Sequence, residues 1–292
     1  MFISQPHDAY ELIDSGNGLK LERFGKYTLI RPEVTAIWKP AMPIKKWEQL
    51  AHAQFVPTSR TAGKWQRLQS MPDQWVVAFP LPEGSANLVF SLQLTGFKHV
   101  GIFPEQSENW DFIYKQCSQR KEPEILNLFA YTGGASLAAC AAGARVTHVD
   151  SIRQVVSWSN ENMQLSNLDG IRWMVEDALK FARRALKRGT QYDGIVMDPP
   201  AWGLGPKGEK WKLEEMIVDL FEVTGKLVRE NGFLVVNTYS GIVPTTIENL
   251  ITAYYPLANM ESGELVLGSR KGPRLSTGSL ARAWGNRTEG GM

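Results

Sequence analysis

Cysteine is nearly absent: Cys117 and Cys140 are the only two in 292 residues. That count and spacing rule out a disulfide framework and offer no zinc-binding pattern, so no metal is expected. Long apolar runs are also missing, and nothing approaches the roughly 20 residues a membrane-spanning helix requires. The opening MFISQPHDAYEL has neither a basic leader nor an apolar core. No secretory signal is expected, and a reducing, cytoplasmic location fits. Strong charge of one sign is lacking, since the net value is +2, too little to argue for nucleic acid by itself. What remains is an ordinary globular composition, 43% hydrophobic and 21% charged, in a chain long enough for one large domain or two.

The first hundred residues read as β-rich. ELIDSGNGLKLERF alternates around Ser-Gly-Asn-Gly, a hairpin signal, and QWVVAF and ANLVFSLQLTG are further strands, with KKWEQLAHAQF a short helix between. SENWDFIYKQCSQ puts Trp110, Ile113, Tyr114 and Cys117 on one helical face, so Cys117 reads as a small core residue. From residue 124 the rhythm changes to alternating strand and helix, the pattern of a parallel α/β sheet. EILNLF, ARVTHVD, IRWMVED, YDGIVMDPP and GFLVVNTYS are its strands; WKLEEMIVDLFEVTGKLVRENG is a long helix, and ELVLGS with SLARAWG a final hairpin. Residues 1–97 and 98–292 are the expected domains.

Ligands of open parallel sheets sit at the carboxyl ends of strands. The segment LNLFAYTGGAS carries Phe129, Ala130, Tyr131, Thr132, Gly133 and Gly134 past the first such end. The glycines, lacking Cβ, allow strained dihedrals and close approach of a ligand, although a lone Gly-Gly is usually only a turn. Asp150 ends the second strand, Asp177 follows the third and Asp198 ends the fourth. Asp150, about twenty residues beyond the glycines, suits the vicinal hydroxyls of a ribose. Asp177 suits an adenine amine, with Ser151 or Ile152 and Ala178 or Leu179 walling the ring. TGGAS does not match G-x-G-x-x-G, which disfavours a nicotinamide dinucleotide. A cationic, phosphate-free adenosine derivative, S-adenosylmethionine, suits several acidic strand ends better.

LNLFAYTGGAS, THVD, VEDA and MDPPA, in that order, resemble the successive motifs of class I S-adenosylmethionine-dependent methyltransferases. LNLFAYTGGASLAAC, HVD and GIVMDPPAWG are more closely similar to bacterial large-subunit ribosomal RNA methyltransferases of the cytosine-C5 and guanine-N7 type. The resemblance spans residues 98 to 292. It implies a Rossmann-like α/β fold with a seven-stranded sheet beside the smaller β-rich N-terminal (α+β) domain. It also implies cofactor contacts at Phe129 to Gly134, Asp150, Asp177 and Asp198. GIFPEQ looks like the segment such relatives lay over the cofactor, bringing in Phe103 and Gln106.

Asp198-Pro199-Pro200 is where the transferred methyl should point, and Trp202 offers either a stacking surface or a packing residue. Prolines remove N–H donors, so the turn is read as a set of acceptors able to hold an amine. In amino-methylating relatives an aromatic follows the prolines directly; here Ala201 intervenes. Cytosine C5 needs a cysteine adduct, and the related cytosine enzymes place that cysteine after strand five or beside the proline turn. This chain has Asn237-Thr238-Tyr239-Ser240-Gly241 and Pro-Pro-Ala-Trp there. A nitrogen or oxygen target is therefore expected, with RNA, and a ribosomal RNA base in particular, as the substrate. The alternatives are a small molecule or protein side chain as acceptor, or a module that binds cofactor without turnover.

Basic clusters bear on RNA. ALKFARRALKRG sets Lys180, Arg183, Arg184, Lys187 and Arg188 on one face, more often a solvated face than a phosphate contact. Lys207, Lys210 and Lys212 follow the proline turn. Arg270, Lys271, Arg274, Arg282 and Arg287 make the C-terminal segment basic. Trp38, Trp47, Trp65 and Trp75 read as core, with Lys64 and Arg67 a weak hint of RNA contact.

Overall fold

The computed structural model describes residues 1–285 apart from 60, 61, 240 and 271; Lys271 and Arg287 of the basic C-terminal segment therefore lie outside the described residues. The chain begins with β1 (Phe2–Ser4), β2 (Tyr10–Gly16), β3 (Leu19–Phe24), β4 (Tyr27–Pro32), α1 (Ile44–Leu50), β5 (Ala53–Pro57), β6 (Gly63–Arg67), β7 (Gln74–Pro80) and β8 (Asn87–Gln93). Strands β2 to β6 form a five-stranded sheet in sequence order, and β7 pairs with β8 as a hairpin. The helix expected over KKWEQLAHAQF stops at Leu50. Its second half is β5, because Ala53 and Phe55 alternate inward and Ala53 pairs with Leu29 of β4. Trp47 and Trp75 are buried, and Trp38 and Trp65 donate their indole N–H groups to the carbonyls of Ser15 and Thr95. Trp47 and Trp75 are core as expected, and Trp38 and Trp65 pack half-buried against it.

After α2 (Ser107–Ser118) come β9 (Glu124–Leu128), α3 (Gly134–Ala141), β10 (Arg145–Asp150), α4 (Arg153–Leu165), β11 (Arg172–Val175), α5 (Ala178–Lys187) and β12 (Tyr192–Met197). A small hairpin follows, β13 (Trp202–Leu204) and β14 (Lys210–Lys212), then α6 (Leu213–Gly225), β15 (Val228–Thr238), α7 (Pro244–Tyr254), β16 (Asn259–Leu267) and β17 (Leu275–Trp284). The central sheet has eight strands in the order β1-β16-β17-β15-β12-β9-β10-β11. Seven of these are the strands of the expected fold. The eighth, β1, runs parallel to β16 and pairs Phe2 with Leu265, so the first residues of the chain complete the edge of this sheet. Chain direction reverses its lateral path between β9 and β12, which opens a crevice at their carboxyl ends.

The long helix expected up to residue 232 ends at Gly225. A Cβ there would meet the Tyr254 carbonyl oxygen at 2.1 Å, and the chain must turn at once so that Val228 can pair with Tyr192 of β12. One core cluster runs from Tyr10 and Phe24 through Phe79, Phe90 and Trp110 to Ile125 and Leu137, joining the N-terminal strands to α2, α3 and β9. Trp110 lies against Phe90 at 5.1 Å and Phe79 at 5.2 Å, aromatic pairs each worth about 0.5–1.5 kcal/mol beyond simple burial. The β8 strand is tied to α4 by the Asn162 side-chain carbonyl, which accepts from Ser91 N at 2.8 Å, and by Trp158, which donates to Ser91 O at 2.8 Å. Among the described residues no helix is long and apolar enough to cross a membrane.

Candidate active site

The turn after β9 carries the tightest backbone in the site. Phe129 and Tyr131 have φ of 56° and 48°, and Gly133 has 93°. Left-handed backbone at two non-glycine residues costs about 1–2 kcal/mol each, so the surroundings must enforce it. They do: Asp150 Oδ2 accepts from Tyr131 N at 2.9 Å, Ser159 donates to Tyr131 O at 2.7 Å, and Asn162 donates to Thr132 O at 3.0 Å. Thr132 in turn donates its hydroxyl to Gly101 O at 2.7 Å. Beneath the turn His148 is held against Ser136, 3.0 Å from Nδ1, and burial pushes its pKa down to about 3, so the ring is neutral.

The two glycines have different tasks. Gly133 supplies the left-handed step into α3. Gly134 has no room for a side chain, because a Cβ would lie 2.6 Å from the Trp110 ring. Its smallness lets α3 close onto α2, so the expected role of a close approach to ligand is not what demands glycine there.

A cleft of about 320 Å³ opens at these strand ends. It gathers Phe103, Phe129, Tyr131, Asp150, Ser151, Asp177, Ala178, Asp198, Pro200 and Trp202 from the sequence-based set. A small adjoining recess of about 50 Å³ takes in Gln106, Ala130, Thr132, Gly133 and Gly134. Pro199 is buried behind the turn and lines neither. The main cleft also uses Tyr239, Trp211, Leu204 and two glycines of the β13–β14 hairpin. Sequence patterning missed that hairpin because it is only three residues per strand, although the glycine-flanked WGLGPKGEKW run was its signal.

Three carboxylates line the cleft and neither lysine nor arginine does, among the described residues. Such a lining repels a pyrophosphate and favours a cation. Asp150 accepts from two backbone amides, Tyr131 N and Ile152 N at 3.0 Å, which leaves further lone pairs on the same oxygens. Burial raises its pKa, so additional hydroxyl donors are welcome. Asp177 caps α5, its Oδ1 accepting from Lys180 N at 2.8 Å; its second oxygen is the one left for an amine. Apolar walls at Phe129, Ile152, Ala178 and Leu204 suit a flat ring.

At the proline corner the acceptors are fewer than the sequence implies. Trp211 donates to Pro200 O at 2.6 Å and Leu213 N donates to Ala201 O at 3.0 Å, so those carbonyls are occupied. Asp198 is different. Among the described residues it receives only long side-chain hydrogen bonds, from Asn237 Nδ2 at 3.3 Å and Gln106 Nε2 at 3.4 Å. Burial lifts its pKa to about 7, with the Asn237 hydrogen bond opposing and the nearby Glu105 charge assisting. Asn237 Oδ1 is buried beside it without a hydrogen-bond partner among the described residues. Both groups have capacity to accept further donors. Trp202 is 58% exposed, so it is free to stack and is not packed into the core.

The basic residues fall outside this cleft. Arg183 pairs with Asp219 at 2.8 Å, Arg184 with Glu176, and Lys180 with Glu209 at 3.7 Å. Arg282 is buried at 7% exposure between Phe2 and Phe112. It holds α2 through Glu108 O at 2.7 Å and pairs with Glu261 at 3.2 Å.

A family model described as S-adenosylmethionine-dependent methyltransferase matches residues 64–223. The chain belongs to that family. It is similar over 97% of its length to the SAM-dependent methyltransferase from Agrobacterium tumefaciens, with 35% identity, 93% of that chain covered and a TM-score of 0.89. SMU.776, a methyltransferase complexed with SAH, shares the fold at 16% identity and a TM-score of 0.73 over 95% of this chain and 76% of that one. The ribosomal RNA large subunit methyltransferase K/L of Shewanella sp. (strain MR-4) is 29% identical over 64% of this chain. The match spans only 26% of that relative's length. The cation-friendly, phosphate-hostile cleft accords with the family's cofactor. When bound, S-adenosylmethionine supplies a methyl group already activated on a sulfonium.

Proposed function

We propose that this methyltransferase modifies RNA, at a nitrogen of a base, with residues 98–292 carrying catalysis and residues 1–97 assisting substrate recognition. The cytoplasm is the corresponding site of action. The names of the ribosomal RNA methyltransferase relatives support RNA as the substrate class, with a ribosomal base as the narrower reading.

The observation that carries the nitrogen target is the under-satisfied Asp198 carboxylate in a cleft without a thiol. Cys117 is buried in α2 with its pKa pushed up to about 12, and Cys140, on α3, donates to Asp169 O at 3.0 Å. Neither lines the cleft. A carbon nucleophile that needs a covalent adduct has no partner there. An amine or ring nitrogen does: Asp198 accepts its N–H, and the orientation so fixed aims the lone pair along the transfer axis, the main need of a reaction with a good leaving group. Trp202, on the cleft wall, supports the base by stacking.

The decisive experiment incubates the enzyme and methyl-labelled cofactor with RNA, protein and metabolite fractions from cells lacking the gene. Label in RNA, followed by nucleoside mass spectrometry that finds an N-methylated base, is expected. Label confined to protein or metabolites removes RNA, and a C-methylated base removes the nitrogen target.

A further inference from the structure

A second cleft, of about 520 Å³, lies beyond the proline corner, within the roughly 300–1,000 Å³ typical of small-ligand pockets. Its walls come from β3, β4 and the following loop, from the segment before α2, and from the start of β17. Phe103, Pro200 and Tyr239 line both this cleft and the cofactor cleft, so a group held here reaches the reacting corner directly.

At its inner end sits Glu105, 5% exposed. The hydrogen bonds around it have a fixed direction. Asn109 Nδ2 donates to Gln106 Oε1 at 2.7 Å, which turns the Gln106 amide nitrogen toward Tyr239, whose hydroxyl oxygen accepts at 2.9 Å. The Tyr239 proton is therefore directed to Glu105, with which it is hydrogen-bonded. That interaction and a backbone N–H occupy part of the carboxylate, and burial raises the pKa of Glu105, so a further donor would favour its charged form. On the cleft's edge Lys98 makes no ion pair among the described residues, while Lys20 is held by Glu22 at 3.5 Å and Glu33 at 3.4 Å. The backbone of Lys98 is fixed, because Arg31, itself locked to Glu22, donates to Lys98 O at 3.1 Å. His99 and Phe103 pack at 5.0 Å and Phe103 and Tyr239 at 5.6 Å. Burial holds the His99 pKa down at about 3, so this aromatic wall carries no charge.

We infer that the second cleft receives the target nucleotide: Glu105 accepts N–H donors of a base turned out of its strand, the Phe103 and Tyr239 rings form one wall against it, and Lys98 meets its phosphate. The assignment rests on the RNA reading above. A neutral aromatic wall, a buried acceptor and a cation at the mouth match a base, its amino or imino edge and its phosphate in turn. A lysine- or arginine-bearing peptide also offers donors to Glu105, but the unpaired Lys98 opposes a cationic partner.

The test uses the full chain, Glu105→Gln and Lys98→Ala, with RNA from cells lacking the gene. S-adenosylhomocysteine affinity by calorimetry reports whether each variant keeps its cofactor cleft. Lys98→Ala should raise the KM for RNA and reduce the slope of log affinity against log salt by about one. Glu105→Gln should lower kcat/KM by about tenfold to a hundredfold, as expected when a charge-assisted hydrogen bond to substrate is lost, with cofactor affinity retained. If the parent enzyme labels RNA but the folded Lys98→Ala variant keeps the parental KM and salt slope, this cleft is not the nucleotide site, while the RNA reading stands. If the parent labels protein and not RNA, both fall.

Discussion

Arg282 donates Nε and Nη2 to the single Oδ1 of Asn109, at 3.1 and 3.0 Å. With its oxygen so engaged, Asn109 must present Nδ2 to Gln106 Oε1, and Gln106 must then present its own nitrogen to Asp198 and Tyr239. An arginine on β17 thus dictates which end of an amide faces the reacting corner. Asn109→Leu breaks the chain at its middle and lets Gln106 turn its oxygen toward Asp198. The kcat should fall by about tenfold, equivalent to about 1.4 kcal/mol, with S-adenosylhomocysteine affinity within about twofold. The positioning role is separated from mere loss of fold by the pH–rate profile, whose midpoint should move above that of the parent as Asp198 loses a donor.

Asp198 makes its own prediction. Its ionised form is the acceptor, so kcat should rise with pH up to about 7 and level off above it. Asp198→Asn should lose that dependence and on the order of a hundredfold in rate. Stability should respond in the opposite sense. The folded state holds this proton more tightly than the unfolded chain, so stability present below the ordinary carboxylate pKa of 3.8 is lost as pH rises to about 7. At pH 8, Asp198→Asn should therefore melt at a higher temperature than the parent by calorimetry. A lower Tm would mean that Asp198 is paired more strongly than its two long hydrogen bonds indicate.

Gly134→Ala tests whether that glycine serves packing. With the Trp110 ring 2.6 Å from the added Cβ, overpacking should cost about 1–3 kcal/mol in denaturant unfolding. Combining it with Trp110→Leu should cost less than the two changes summed, since the smaller side chain removes the obstacle. Simple additivity would put the requirement for glycine elsewhere.

The site was legible where chemistry is concentrated in strand ends. Asp150, Asp177 and Asp198 follow apolar strands, and the parallel sheet brings such ends together whatever the intervening helices contain. Tyr239 and Asn237 were passed over because their value is geometric: β15 sets them opposite GIFPEQ, an adjacency that no local pattern records. Arg282 misled for a related reason. A basic residue in a basic segment reads as solvent-facing, yet the alternation of β17 turns it inward, between Phe2 and Phe112. Strand β1 was invisible because three residues carry no periodicity, and only pairing with β16 makes them a strand.

The thiol-free reading of the cleft yields a simple control. Cys140→Ala removes an α3 side chain that donates to Asp169 O and touches neither compartment of the site. Methyl transfer to RNA by this variant should remain within about twofold of the parent, the scale of a small surface change. A loss like that of a catalytic nucleophile would return a covalent mechanism to consideration.

The basic face of α5 should prove silent toward RNA. Arg183 and Arg184 already engage Asp219 and Glu176, and an incoming phosphate would have to displace those carboxylates. Exposed pairs are weak, about 0–1 kcal/mol, so displacement is not forbidden, but Arg183 and Arg184 each already face a carboxylate. Arg183→Glu should leave both RNA affinity and its salt slope unchanged in filter binding at several ionic strengths. If the slope drops by about one, the helix does track the phosphate backbone, and the RNA path must be drawn across α5 as well as over the proline corner.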